Sequence, residues 1–214
     1  MKRLIGRTLR LAIVAVPLAF GVAACGNFLG VPKAASNIFT LTPKSTFQPG
    51  LPRVDWQLVI EEPLASGGLE GARIAVRPSD LEMKYFADTR WTERAPKMIQ
   101  TLLVESFENS GTIVAVGRQA IGLRADYSLK TELREFQVES YRNGQVRVRI
   151  NAKLIRQSRQ AIMNSASFEA VASPTGPGIK QTVRAFDAAL GVVLRDIVEW
   201  TIREGQAAQL AARQ

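Results

Sequence analysis

The sequence of 214 residues contains no histidine and only one cysteine, Cys25. Histidine is the usual general base near neutral pH and a common metal ligand, so its absence excludes Ser-His-Asp and Cys-His catalytic sites and histidine metal sites. A single cysteine forms no intrachain disulfide and builds no thiolate zinc site. We therefore expect no cofactor, no metal and no enzymatic activity.

Internal repeats and phosphate-binding loops are also missing. Gly67, Gly68, Gly176 and Gly178 do not have the spacing of a loop that cradles phosphate. The composition, with 46% hydrophobic and 22% charged residues, is that of a globular protein. We expect a leader, a tether and one core of about 170 residues.

The formal net charge of +9 does not indicate nucleic-acid binding. Lys2, Arg3, Arg7 and Arg10 all precede residue 11, and the sequence without them retains a charge of +5. The remaining basic residues are interspersed with acids and form no run with aromatic residues, which argues against a nucleic-acid surface. Mild attraction to anionic lipid remains compatible with the charge.

The first 25 residues have the pattern of a bacterial lipoprotein signal peptide. Four cations precede the apolar stretch 11–22, and Ala23 and Ala24 lead directly to Cys25. The segment 22–25 resembles the lipobox, in which the cysteine thiol receives diacylglycerol, the peptide is cut before it, and the new amine is acylated. The alternatives are a cleaved secretory protein and a membrane-spanning anchor, but the apolar stretch is shorter than the roughly 20 residues that a span needs.

The chain is therefore predicted to divide into four segments. A signal peptide occupies residues 1–24, and the acylated Cys25 with a flexible tether occupies 25–36. The folded domain occupies 37–204, and an Ala- and Gln-rich tail that we expect to fray occupies 205–214. Gly26 follows the cysteine, where Asp would favour retention in the inner membrane, so we expect outer-membrane anchoring with the domain facing the periplasm.

Hydrophobic periodicity predicts an α+β domain. Its mostly antiparallel sheet, with a β-meander, is covered by two amphipathic helices. Strands are expected at 37–43, 54–62, 72–77, 112–116 and 161–172. One helix is expected at 95–109, with Pro96 in its first turn, and a longer one after Gly178.

The second helix carries an apolar stripe at alternating spacings of four and three residues. Such a stripe forms either a coiled-coil seam for a partner or, more commonly, the face that covers an open sheet. Its members are Ile179, Val183, Phe186, Leu190, Val193, Ile197 and Trp200.

The meander contains a hairpin around Gly144. A three-residue loop, 143–145, places Val138 opposite Ile150 and Glu139 opposite Arg149, which keeps apolar and charged side chains on separate faces. We therefore predict this loop, with Gly144 near the left-handed conformation. The apolar positions change parity between Leu133 and Phe136, which predicts a β-bulge there.

Two groups of residues are candidates for further sites. The carboxylates Glu61, Glu62, Asp80 and Glu82 could serve a glycosidase-type hydrolase, although adjacent acids on a strand are more commonly solvated. The segment 79–94 has no clear period and carries Tyr85, Phe86 and Trp91, which either cap the core or form an aromatic surface for a protein partner or a lipid.

Beyond the lipobox at Cys25, the chain resembles the ABC-type transport auxiliary lipoproteins, the PqiC-like partners of MCE-domain lipid transport systems. The resemblance runs to about residue 203, and Phe39 stands where the family commonly has Tyr. It is carried by FTLTP at 39–43, IAVRP at 74–78, WTERAP at 91–96, LLVESF at 102–107, YSLKTELREF at 127–136, FEA at 168–170, FDAALG at 186–191 and VEW at 198–200.

The resemblance implies a non-enzymatic component of a lipid transport system. Its expected partners are an MCE-domain protein, which forms the periplasmic conduit, and the permease and ATPase of the same system. Assembly into a homo-oligomer is a further alternative. The alternatives are an envelope-assembly or structural lipoprotein without a transporter and the carboxylate-based hydrolase.

Overall fold

The structure, a computed structural model, describes residues 37–118 and 125–211. The predicted signal peptide, Cys25 and the tether lie outside these described residues. Within this part the elements follow in the order β1 (Asn37–Phe39), β2 (Val54–Ile60), β3 (Leu64–Ala65), β4 (Arg73–Ser79), β5 (Glu82–Trp91), α1 (Ala95–Ser110), β6 (Ile113–Arg118), β7 (Tyr127–Glu139), β8 (Gln145–Arg156), β9 (Ala161–Ala172) and α2 (Ile179–Ala211).

The strands form a mixed sheet around β7. One edge of β7 pairs antiparallel with β8, which pairs antiparallel with β9. The other edge pairs in parallel with β2, β3 and β4 in succession. Beyond them, β6 runs parallel to β2, β5 runs antiparallel to β4, and β1 runs parallel to β5. The α+β class and the meander are confirmed, but the expectation of a mostly antiparallel sheet is wrong.

The parallel pairings follow from the connections. Parallel neighbours need a crossover long enough to return the chain to the same end of the sheet, and helices commonly supply it. Here β3, β4, β5 and α1 intervene between β2 and β6, and these two strands run in the same direction. The sequence-based expectation counted only the local hairpins.

The core lies between the sheet and the helices α1 and α2, and α2 covers β7–β9. Alternate side chains of β8 point to this side and are buried. Helix α2 packs on β8 and β9 and also contacts α1. The rings of Trp91, Phe136 and Phe186 lie 4.9–5.5 Å apart at its centre. The apolar stripe of α2 therefore covers the sheet, which confirms the second of the two interpretations, the sheet-covering face.

Helix α1 begins and ends close to the predicted residues. Pro96 lies in the first turn, where a missing N–H is tolerated. Gly111 ends the helix with a left-handed φ of 61°, and its N–H donates to the carbonyl of Glu108.

The predicted register of the β7–β8 hairpin is wrong. Glu139 lies opposite Gln145 and Val138 opposite Val146, so the loop comprises the five residues 140–144. Asn143 and Gly144 are both left-handed, with φ of 56° and 70°, and the Gly144 N–H closes the turn on the Glu139 carbonyl. The conformation of Gly144 is confirmed. The side chains still point to the predicted faces of the sheet, because the predicted and the observed registers differ by an even number of residues.

The predicted bulge is confirmed. The β7–β8 register shifts between Leu133 and Glu135, and Arg134 is the extra residue. This shift lets Leu133 and Phe136, which differ in parity, both face the core.

Two predicted ends differ from the structure. The first strand stops at Phe39, because the Thr42 N–H donates to Asp187 Oδ1 (2.7 Å) and not to a neighbouring strand. Helix α2 continues past Gly205 to Ala211, so the expectation of a frayed tail is wrong as far as that residue. Arg156 donates to the Ala208 carbonyl (2.8 Å), and Gln209 donates to Asp55 (2.7 Å), which fix the last turns.

The segment 79–94, for which no period was visible, contains β5. Its register against β4 is irregular, and Asp88 has a left-handed φ of 50°. These irregularities break the alternation that identifies a strand. Neither described helix is long and apolar enough to span a membrane.

Candidate functional site

A charged network lies on the face of β7–β9 opposite α2. Arg147 Nε donates to Glu139 Oε1 at 3.1 Å and lies 3.5 Å from Glu135 Oε2. Arg149 donates to Glu135 at 2.5 Å, and Arg147 also donates to Glu169 on β9. Three carboxylates and two guanidinium groups therefore link the three strands of the meander.

The network stabilises the ionised forms of Glu139 and Arg147. Burial disfavours the ionised form of Glu139, which is 3% exposed, but hydrogen bonds from Gln145 and Arg147 outweigh it and lower the pKa of Glu139. Burial likewise opposes the charge of Arg147, yet its hydrogen bond and Coulomb attraction to Glu139 raise the pKa of Arg147. Both groups stay ionised at neutral pH, which suits a fixed polar surface and not proton transfer.

Strand β9 forms an open edge beside this network. Among the described strands it pairs only with β8. Its twelve residues contain one charge, Glu169, and no proline. Ile162 and Val171 on this strand are 59% and 44% exposed. Long edge strands usually carry lysine, proline or bulges that block further pairing, and β9 has only a register irregularity near its start. Its free edge can accept a strand from another protein.

Comparison with known proteins identifies the family. The family model of the ABC-type transport auxiliary lipoprotein component matches residues 39–198, which include the core, the charged network and β9. The chain belongs to this family. The resemblance drawn from the sequence is thereby confirmed at the level of the family, which is described as a lipoprotein component of ABC-type transport.

Solved structures and a curated relative agree with this assignment. The auxiliary lipoprotein is 30% identical to a Xanthomonas campestris protein of known crystal structure, with a TM-score of 0.77, over 82% of this chain and 99% of that one. A second solved structure, of an uncharacterized protein, shares 15% identity and a TM-score of 0.62 over 77% and 97% of the chains, which shows the fold alone. An uncharacterized Bradyrhizobium diazoefficiens protein is 28% identical over 145 residues, or 68% of this chain but 39% of that protein.

The aromatic residues of β5 in the auxiliary lipoprotein do not form one surface. Trp91 is 1% exposed and packs in the core, so its assignment to a partner or lipid surface is wrong. Tyr85 and Phe86 are partly buried against that core. The Tyr85 hydroxyl donates to the Gly68 carbonyl (3.0 Å), and the Arg73 guanidinium lies 3.6 Å from its ring centroid. A contact of Tyr85 and Phe86 with a partner stays a prediction.

The most exposed apolar side chain near this segment is one that the sequence reasoning missed. Leu81, in the turn between β4 and β5, is 100% exposed, and Met83 is 38% exposed. The feature of the sequence that indicates this exposure is the position of the leucine between two acids, Asp80 and Glu82, next to a Pro-Ser turn sequence.

The four candidate carboxylates are not brought together. Glu61 pairs with Lys130 (3.4 Å), Glu62 with Arg94 (2.5 Å) and Glu82 with Lys84 (2.7 Å).

The two pairs of acids lie at different positions along the strands of the sheet. Ile60 is level with Leu129, whereas Arg77 is level with Glu139. Ten residues of β7, about 33 Å, therefore separate Glu61–Glu62 from Asp80–Glu82. Glycosidase carboxylates lie roughly 5–9.5 Å apart. The described residues also contain no group of three potential metal ligands.

Proposed function

We propose that the protein is a non-enzymatic auxiliary component of an ABC/MCE-type phospholipid transport system, anchored in the outer membrane through acyl chains on Cys25. The single observation that supports this most is the family match over residues 39–198. The lipobox-like residues before Cys25 precede that match in the sequence.

The proposed anchor explains how the domain is positioned. Each buried CH₂ group contributes about 0.8 kcal/mol, and stable attachment needs more than one acyl chain, which a fully modified cysteine provides. Residues 26–36 supply eleven residues of tether, which extend at most about 36–40 Å. The domain can then contact a periplasmic partner while it remains close to the membrane.

The meander supplies the surface for that partner. The open edge of β9 offers backbone N–H and C=O groups, and the adjacent charged network offers fixed charges of both signs. Backbone pairing gives affinity, whereas the charges select the register and the partner. The partner in this proposal is the MCE-domain protein of the conduit.

Affinity purification of the tagged full-length protein from solubilised membranes tests the proposal. We expect co-purification of an MCE-domain protein together with the ABC permease and ATPase. Recovery of outer-membrane barrel proteins without these components would support the assembly lipoprotein instead and contradict the transport role.

A matched pair of variants tests the surface. Ser165→Lys places a charge on the exposed edge strand, and Ala188→Lys places the same charge on the exposed side of α2. An edge lysine opposes strand pairing, so recovery of the MCE-domain protein should fall with Ser165→Lys alone. Equal recovery with both variants would exclude β9 as the contact.

A further inference from the structure

The end of the sheet formed by the β4–β5 turn exposes apolar side chains. Leu81 is completely exposed, more than any other large hydrophobic residue in the described part of the chain, and Met83 is 38% exposed. We call the residues 80–83 the hairpin tip. Turns usually carry polar residues at such positions.

The β7–β8 loop lies directly beside the hairpin tip. The backbone N–H and the hydroxyl of Ser140 both donate to the Arg77 carbonyl at 3.0 Å. The Tyr141 hydroxyl donates to Glu139 Oε1 (3.4 Å), and hydrogen bonding toward Asp80 raises the pKa of Tyr141. These contacts hold the two turns together, so that they form one end of the molecule.

This end carries more basic than acidic side chains. Arg142 flanks the two turns, and Lys84 beside them is paired with Glu82 (2.7 Å). Because Ala172 is level with Val146, β9 also ends here, and Lys180 and Arg184 follow in the first turns of α2. Arg142, Lys180 and Arg184 are exposed and form no ion pair within residues 37–118 and 125–211. The acids of the tip are Asp80 and Glu82. Exposed apolar residues surrounded by cations suit an anionic lipid surface.

The first described strand begins at its end nearer the hairpin tip. Strand β1 runs parallel to β5, away from the hairpin tip, and begins with Asn37 level with Thr89. Leu81 precedes Thr89 by eight residues, or about 26 Å along the strand. The eleven tether residues extend at most about 36–40 Å. They can therefore connect Asn37 to a membrane that also touches the tip.

We propose that the hairpin tip is a second, non-covalent membrane contact of this lipoprotein. Leu81 enters the boundary between headgroups and acyl chains, while Arg142, Lys180 and Arg184 face the phosphates of anionic glycerophospholipids. This inference rests on the proposed acyl anchor at Cys25. It orients the molecule, because the 157–160 turn and the end of α2 lie at the opposite end and then point away from the bilayer.

The single cysteine of the sequence allows a direct test in the full-length lipoprotein. Acylation consumes the thiol of Cys25, so Leu81→Cys introduces the only free thiol. That thiol is labelled with an environment-sensitive fluorophore, and the protein is reconstituted into vesicles of phosphatidylethanolamine and phosphatidylglycerol that contain nitroxide-labelled lipid. Leu210→Cys is the matched control, because Leu210 is 51% exposed near the far end of α2.

We expect the label at position 81 to shift its emission to the blue and to lose more than half of its intensity to the nitroxide lipid. The label at position 210 should keep its emission. Exchange of phosphatidylglycerol for phosphatidylcholine should weaken the quenching at position 81 severalfold.

Three results would overturn the inference: no quenching at position 81, stronger quenching at position 210, or a position 81 signal that appears only when a partner protein is added. In each case the protein must float with the vesicles, which shows that the anchor holds. A protein that lacks acyl chains and does not float would instead refute the proposed function, and the orientation with it.

Discussion

Gly205 and Gly191 lie in the same helix but predict opposite responses to alanine. A Cβ at Gly205 would lie 2.4 Å from Cζ2 and 2.8 Å from Cε2 of Trp56. Trp56 is 2% exposed, and its ring packs against that of Tyr127 at a centroid distance of 5.1 Å. The indole therefore has no free direction in which to move. At Gly191 a Cβ meets no atom within 4 Å.

The magnitudes follow from two opposing effects. Alanine is favoured over glycine in a helix interior by about 1 kcal/mol. Overpacking a rigid core costs about 1–3 kcal/mol, and a contact as short as that with Trp56 belongs at the upper end. We expect Gly191→Ala to raise the free energy of unfolding by up to about 1 kcal/mol. Gly205→Ala should lower it by about 1–2 kcal/mol after its helix propensity is included.

Urea unfolding of the chain from residue 26 onward, followed by tryptophan fluorescence, measures both variants. In thermal unfolding each kcal/mol corresponds to about 2–4 °C for a domain of this size. A Gly205→Ala protein as stable as Gly191→Ala would show that the end of α2 does not pack on Trp56. The wild-type protein provides the reference for both.

Further variants probe the network, the core and the segment before β2. Glu139 has a lowered pKa, so its ionisation stabilises the fold above about pH 4.5, and this contribution disappears as the pH falls through the lower folded-state pKa. Glu139→Gln should therefore cost about 1–2 kcal/mol near pH 7 and much less near pH 3 in urea titrations, and an equal cost at both would contradict the pairing with Arg147. Phe186→Ala should cost about 3–5 kcal/mol in the same assay, because Phe186 is fully buried between Trp91 and Phe136, whereas a cost below about 1 kcal/mol would exclude that packing. Asp187→Ala removes the acceptor of the Thr42 N–H and hydroxyl and should increase amide hydrogen exchange at residues 40–44, with unchanged exchange as the contrary result.

Local patterns predicted the elements well where one period continued over many residues. The bounds of β9 agree with the prediction, and α1 differs by one residue, because alternation, Pro96 and Gly111 all act locally. The parallel pairing of β2, β3 and β4 with β7 was not predictable in this way, since it depends on contacts between residues far apart in the sequence. Only the antiparallel neighbours joined by short turns were visible.

The register of the β7–β8 hairpin shows the limit of charge pairing as a guide. Opposed charges contribute only tenths of a kcal/mol each, which is less than the preference of a turn for left-handed residues. Two such residues, Asn143 and Gly144, fix the five-residue loop. Glu135 then lies opposite Arg149, and Arg147 bridges Glu139 and Glu169. The sequence predicted a charged face but not its partners.

The candidate site was predicted only in part for a similar reason. Trp91, Tyr85 and Phe86 were candidates because they are large aromatic residues. Trp91 is nevertheless buried, because β5 lies between β1 and β4 and its last residue packs against Phe186 of α2. The exposure of Leu81 was not predictable, because one leucine in a polar turn has no periodicity. It follows from the position of the turn at the end of the sheet.

The mass of the mature amino terminus tests the central claim most directly. Intact-protein and peptide mass spectrometry of the protein extracted from membranes should show a chain that begins at Cys25, with diacylglycerol on the thiol and a further acyl chain on the amine. A mature chain that begins at another residue, or at Cys25 without fatty acyl groups, would contradict the account of a lipid-anchored transport component.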